Sequence, residues 1–111
     1  MNEYYISEKD LKQLLNQLKN SAKKRGIKFN LTTSDIDDIG IPITCPVLGI
    51  PLKFHRGRPQ DDSISFDRID STKGYTKENL VIVCYRVNKL KSNATLKEMQ
   101  SIVRFYNDLN L

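Results

Sequence analysis

The chain has 111 residues, 39% of them hydrophobic and 28% charged, with 18 Lys and Arg against 13 Asp and Glu, a net charge of +5 and a pI near 9.3. That balance excludes a disordered tail, and no apolar run approaches the roughly 20 residues a bilayer span needs, so no membrane is expected as partner. One domain over residues 1–111 is expected, burying roughly two-thirds of its unfolded surface. The positive charge favours a polyanion without specifying one.

The N-terminus reads Met-Asn-Glu-Tyr-Tyr-Ile-Ser, with no basic flank leading into an apolar stretch, so no signal peptide is expected and the location is read as cytoplasmic. In that setting the two cysteines, Cys45 and Cys84, do not read as a structural disulfide. Ser7 and Asp10 form a capping pair, and Leu11, Leu14, Leu15, Leu18 and Ala22 then fall at helical spacing, which predicts a helix from about 8 to 24 that Gly26 ends. Ile27, Phe29 and Leu31 alternate with polar residues as in a short extended segment. The cluster Thr33-Ser34-Asp35 is placed to cap a helical turn over Ile36–Ile39. Gly40, Pro42, Pro46, Gly49 and Pro51 mark turns, and His55–Asp62 lacks apolar periodicity and reads as a loop.

Ile64-Ser65-Phe66 is strand-like and leads into Asp67, and Leu80-Val81-Ile82-Val83 makes a second strand. Gly74, between them, suits a turn with positive φ. A short helix is expected over Tyr85–Lys91. Thr95 and Glu98 form a capping box for a closing helix of about 95–109, whose stripe of Leu96, Met99, Ile102, Val103 and Tyr106 is read as core. The fold class is thus α+β: a two-stranded hairpin plus helix at about 45–92, flanked by N- and C-terminal helices.

The runs Asp67-Arg68-Ile69-Asp70, Glu78-Asn79-Leu80 and Cys84-Tyr85-Arg86-Val87-Asn88-Lys89-Leu90-Lys91 resemble, in order and spacing, the core of the HNH or ββα-metal endonucleases. The Asn at the helix position is similar to the phage recombination endonuclease VII branch. The resemblance covers roughly Lys24 to Glu98 and implies a phage or prophage DNA endonuclease, with Asp67 and Asn88 as ligands of one metal and Asn79 as the brace of the hairpin. One carboxylate and one amide oxygen make an all-oxygen site suited to Mg²⁺ or Mn²⁺.

That branch also carries two Cys-x-x-Cys knuckles around a structural zinc. Here Cys45-Pro46-Val47-Leu48 and Cys84-Tyr85-Arg86-Val87 each keep only the first cysteine, so zinc is expected to be absent, with Leu48 and Val87 packing in its place. Arg68 stands where the family has a histidine general base, and a guanidinium cannot take a proton at working pH. His55, the lone histidine, is the candidate replacement base, and Arg68 a candidate clamp for phosphate. Arg56, Arg58, Lys73, Lys77, Arg86, Lys89 and Lys91, with Lys53, flank the expected metal site in sequence and would form a track for the DNA backbone, whereas Asp35, Asp37 and Asp38 lie away from that site. Tyr75 and Tyr85 are candidates to stack on an exposed base. The competing reading is a catalytically silent module of the same fold that binds DNA or recruits a partner. A homodimer is compatible with either.

Overall fold

The computed structural model describes residues 4–110. Residues 1–3, on which the reading of the N-terminus partly rests, and Leu111 lie outside the described residues. The fold is mixed α+β, with four helices and two small sheets among the described residues.

Helix α1 spans Glu8–Lys24. The hydroxyl of Ser7 accepts the Asp10 backbone N–H at 3.1 Å, and acidic residues in its first turn and lysines in its last complement the helix dipole. It buries Leu11, Leu15 and Ala22, and Gly26, at φ +67°, lets the chain turn out. Strand β1, Phe29–Asn30, follows, then α2, Thr33–Ile39. The cap of α2 is Thr32, one residue before the expected cluster: its hydroxyl accepts from the Asp35 N–H while the Asp35 carboxylate accepts from the Thr32 N–H.

Residues 41–63 form an irregular arm stitched down by isolated bridges between Thr44 and Pro51 and between Lys53 and Ser63. Its tightest feature is the turn after Cys45, whose carbonyl accepts from Gly49 N–H and whose N–H donates to Ile50, both at 2.8 Å. Strands β2 (Ile64–Arg68) and β4 (Leu80–Cys84) pair antiparallel, from Ile64 opposite Cys84 to Arg68 opposite Leu80. Between them lie β3 (Tyr75–Thr76) and a 3-10 turn at Lys77–Asn79. Helix α3, Tyr85–Lys91, leaves β4 directly, and α4 spans Leu96–Asp108.

Strand β3 pairs in parallel with β1, Phe29 opposite Tyr75, and ties α1 and the β2–β4 hairpin into one body. Gly74 is needed there for a different reason from the one expected. It is not among the positive-φ residues; instead a Cβ at 74 would stand 2.6 Å from the Lys28 carbonyl oxygen, so only glycine lets the two backbones approach.

The core gathers Leu11 and Leu15 of α1, Ile36 of α2, Leu52 of the arm, and Phe66 and Ile82 of the hairpin, each burial stabilising by about 1.5–3 kcal/mol. Cys45 and Cys84 are free thiols at the centre of it, 1% and 0% exposed, and the Cys84 N–H points at the Cys45 sulfur at 3.4 Å. Burial pushes the Cys45 thiol up, but N–H donors from Leu48, Cys84 and Val47, with the Cys84 thiol, outweigh it and hold it below the usual value; burial raises that of Cys84.

Two expectations about packing fail. Val87 packs against the core, but Leu48 is 46% exposed, because the Pro46–Gly49 turn directs the Leu48 N–H, not its side chain, at the sulfur. The apolar stripe of α4 is not core: none of its residues is buried, and Leu96, Ile102, Val103 and Tyr106 are about half exposed or more. With Thr95 and Glu98 capping it at both partners, α4 is built locally and projects from the body.

Candidate functional site

On β2, pleating sends Ile64 and Phe66 into the core and leaves Ser65 and Asp67 on the other face. Two α3 residues three positions apart, hence on one helix face, meet them. The Asn88 amide nitrogen donates to the Ser65 hydroxyl at 2.8 Å, with a longer contact to the Phe66 carbonyl. The Lys91 ammonium donates to Asp67 Oδ2 at 2.7 Å and to the Arg68 carbonyl at 2.8 Å. Asp67 and Lys91 are 15% and 19% exposed as side chains, sheltered enough for the pair to be firmer than a surface ion pair.

Asn79 closes the loop beyond. Its amide oxygen accepts from Asp70 N–H at 2.9 Å and its nitrogen donates to the carbonyls of Asp70 and Gly74 at 3.1 and 2.9 Å, all at 8% exposure. Asp70 in turn accepts from the Thr72 hydroxyl and N–H, contacts that hold its carboxyl below the usual range. Arg68 spends one guanidinium nitrogen on the carbonyls of Ser71 and Lys73, at 2.8 and 2.9 Å, and lies 5.3 Å over the Tyr75 ring. It is therefore a brace of this loop as well as a cation beside Asp67.

Asp67 and Asn88 line one cleft of about 480 Å³, together with Arg68, Tyr75, Tyr85 and Lys91. Its other wall is α1: Leu14, Gln17, Leu18, Ser21 and Arg25 repeat at helical spacing along it. Three cations, Arg25, Arg68 and Lys91, face one carboxylate in the cleft. Tyr75 is 5% exposed and serves as core, with its hydroxyl at the cleft edge accepting from Arg25 at 2.9 Å.

His55 does not line this cleft. Its Nε2 lies 2.6 Å from Asp62 Oδ1, and it borders a neighbouring cavity of about 50 Å³ that shares Leu14, Gln17, Pro59 and Ile64 with the cleft. Nor do the basic residues form one track around it. Of Arg56, Arg58, Lys73, Lys77, Arg86, Lys89 and Lys91, only Lys91 lines the cleft. Arg56 pairs with Asp10, Lys89 with Asp61 and Lys77 with Asp38 of α2, while Asp35, Asp37 and Asp38 do not line the cleft. The Lys77–Asp38 hydrogen bond and charge raise the Lys77 pKa, and Lys89 lowers that of Asp61 in the same way.

Arg25 was missed in the sequence because it stands at the C-cap of α1, where a basic residue reads as a dipole complement. Its signal is that it continues the helical spacing of Leu14, Gln17, Leu18 and Ser21.

Asn88 turns its nitrogen to Ser65, which leaves its Oδ1 as an acceptor for the cleft, and no protein hydrogen bond engages Asp67 Oδ1 among the described residues. Those two oxygens fit a hard cation that draws its other ligands from water and phosphate. Among the described residues no three of His, Cys, Asp and Glu gather to hold a metal by themselves.

No protein-family model and no solved structure matches the chain. It is similar to an "Uncharacterized 29.0 kDa protein in dda-modA intergenic region" of Enterobacteria phage T4, 32% identical over 89 residues. The match takes in 80% of this chain and 35% of the T4 protein, so the chain spans about a third of the relative's length. No described helix is long and apolar enough to cross a membrane.

Proposed function

We propose that the protein is a metal-dependent endonuclease acting on DNA, built on a ββα-metal core of β2, β4 and α3. The observation that carries this is the placement of Asp67, Asn88 and Lys91 around one cleft by a strand and the helix that follows its partner, with Asn79 bracing the intervening loop. The likeness to a T4 protein supports coding by a phage or prophage, where branched or otherwise structured DNA is a natural substrate.

Asp67 and Asn88 would hold Mg²⁺ or Mn²⁺, which when bound stabilises negative charge building on the phosphate oxygens and the leaving oxygen. Ser65 fixes the Asn88 amide so that its oxygen faces the cleft. Lys91 orients Asp67 and adds positive charge beside the phosphate. Arg68 keeps the loop folded and contributes a second cation. Asp67 is the one carboxylate among the described residues lining the cleft, and the imidazole of the His55–Asp62 pair, one cavity away, would serve as base through water.

A second reading, a catalytically silent DNA-binding module, is favoured by one observation: Lys91 occupies an oxygen of Asp67 and no histidine lines the cleft. Incubating the protein with supercoiled, linear and branched DNA in Mg²⁺ or Mn²⁺ separates the two. The expected outcome is cleavage abolished by EDTA and reduced at least about 100-fold in Asp67→Ala. Salt-sensitive binding with no cleavage of any substrate would select the silent module.

A further inference from the structure

Arg25 belongs to α1, outside the ββα unit, yet its guanidinium lies at the cleft that Asp67 and Asn88 line. It is held from two sides: its Nε donates to the Ser21 carbonyl at 3.3 Å and one terminal nitrogen to the Tyr75 hydroxyl at 2.9 Å, with the guanidinium 5.8 Å from the centre of the Tyr75 ring. Tyr75 is itself 5% exposed and sits on β3, which pairs backbone to backbone with β1. A guanidinium has five N–H donors, and these contacts take two, so the remaining donors are available in a fixed orientation. Arg25 has no carboxylate partner among the described residues, in contrast to Arg56, Lys77, Lys89 and Lys91. Arg68, on the same ring, has one terminal nitrogen tied to two loop carbonyls. Of the cleft's three cations, Lys91 is paired with Asp67, whereas Arg25 and Arg68 have no carboxylate partner among the described residues, and Arg25 is the one on the α1 side.

The cleft shape narrows what that anion is. It has two walls, α1 against β2 and α3, and about 480 Å³ falls in the range of pockets that take a single small ligand. That is room for a short stretch of one strand and not for a duplex. The α1 wall pairs an apolar part, Leu14 and Leu18, with the polar part, Gln17, Ser21 and Arg25, as a nucleotide pairs base and phosphate.

We propose that this cleft takes one unpaired DNA strand, and that Arg25 grips a backbone phosphate adjacent to the one held at Asp67 and Asn88. This rests on the nuclease reading for its choice of DNA. Arg25 is a binding residue, and Tyr75 a positioning residue that acts through it. Phosphate contacts of this kind are charge-assisted and salt-dependent.

The test is fluorescence anisotropy of a labelled single-stranded DNA oligonucleotide, titrated with the full chain in EDTA over a range of salt, so that binding is read without cleavage. Arg25→Gln is expected to weaken binding roughly tenfold and to lower the magnitude of the salt slope by about 0.7, one phosphate contact on a single strand. Arg25→Lys keeps the slope, Tyr75→Phe weakens binding with the slope unchanged, and Arg104→Gln, on exposed α4, changes neither. An unlabelled blunt duplex competes less well than unlabelled single strand. Wild-type affinity and slope in Arg25→Gln, or better competition by duplex, overturns the proposal. Should Arg25→Gln fail to fold, Tyr75→Phe decides: unchanged binding in a folded protein overturns the proposal, weaker binding supports it. Binding that follows this pattern in a protein that never cuts DNA leaves Arg25 in place and removes the nuclease reading; cleavage with an indifferent Arg25 does the reverse.

Discussion

Asn79 shows what a single buried amide does in this fold. It satisfies one N–H and two carbonyls of a loop that would otherwise leave them unpaired, and that loop begins at the residue after Arg68. Replacing it by alanine strands those groups at a site 8% exposed, and each unsatisfied buried group costs about 1–3 kcal/mol, part of which water recovers. Asn79→Ala is expected to lose about 2–4 kcal/mol in urea unfolding; a loss below about 1 kcal/mol would mean the loop does not depend on the amide. The resemblance that marks Asn79, Asp67 and Asn88 in the sequence carries their order but not their surroundings. That Lys91 sits on Asp67, that Arg68 turns back on its own loop, and that His55 pairs with Asp62 are tertiary facts, set by where α3 and the arm pack. Local spacing holds no record of them.

Elements built by local chemistry were legible at the residue level. Ser7 caps α1 and Thr95 caps α4, and both helices lie where spacing and caps put them. Strand β3 was not, because two residues held only by pairing with β1 have no periodicity to read, and Gly74, which permits the pairing, resembles an ordinary turn glycine. The α4 stripe misleads in the opposite way: amphipathic spacing reports a face able to be buried, not one that is. An isolated helix of its length is marginal in water, and α4 buries none of its residues on this chain. Truncation after Asn93 is therefore expected to shift the midpoint of thermal unfolding by less than about 3 °C, with α4 amides exchanging much faster than those of α1. A loss of 10 °C or more would place α4 in the cooperative core.

At the scale of the molecule, a +5 chain places its charge in two ways. On the outside, Arg56, Lys77 and Lys89 are met by carboxylates at 2.7–3.1 Å, and the Lys77 and Lys89 pairs are exposed and worth little, so that a phosphate can displace them. In the cleft, three cations line the walls with one carboxylate, an imbalance that favours an anion. That Asp67 and Asn88 come to one cleft, with Asn79 bracing the loop between the strands, agrees with their order along the chain. The second wall was not legible, because residues 25–63 separate α1 from the hairpin and α1 reads by itself as a plain amphipathic helix.

The central claim is that Asp67 and Asn88 share one divalent cation in the presence of DNA. Anomalous scattering from Mn²⁺ in crystals grown with a short oligonucleotide tests it most directly. The expected result is a single strong peak within about 2.5 Å of both Asp67 Oδ1 and Asn88 Oδ1, with Lys91 moved from Asp67 or retained on its other oxygen. No peak in the cleft with DNA bound, or a peak that persists in Asp67→Ala, would contradict it.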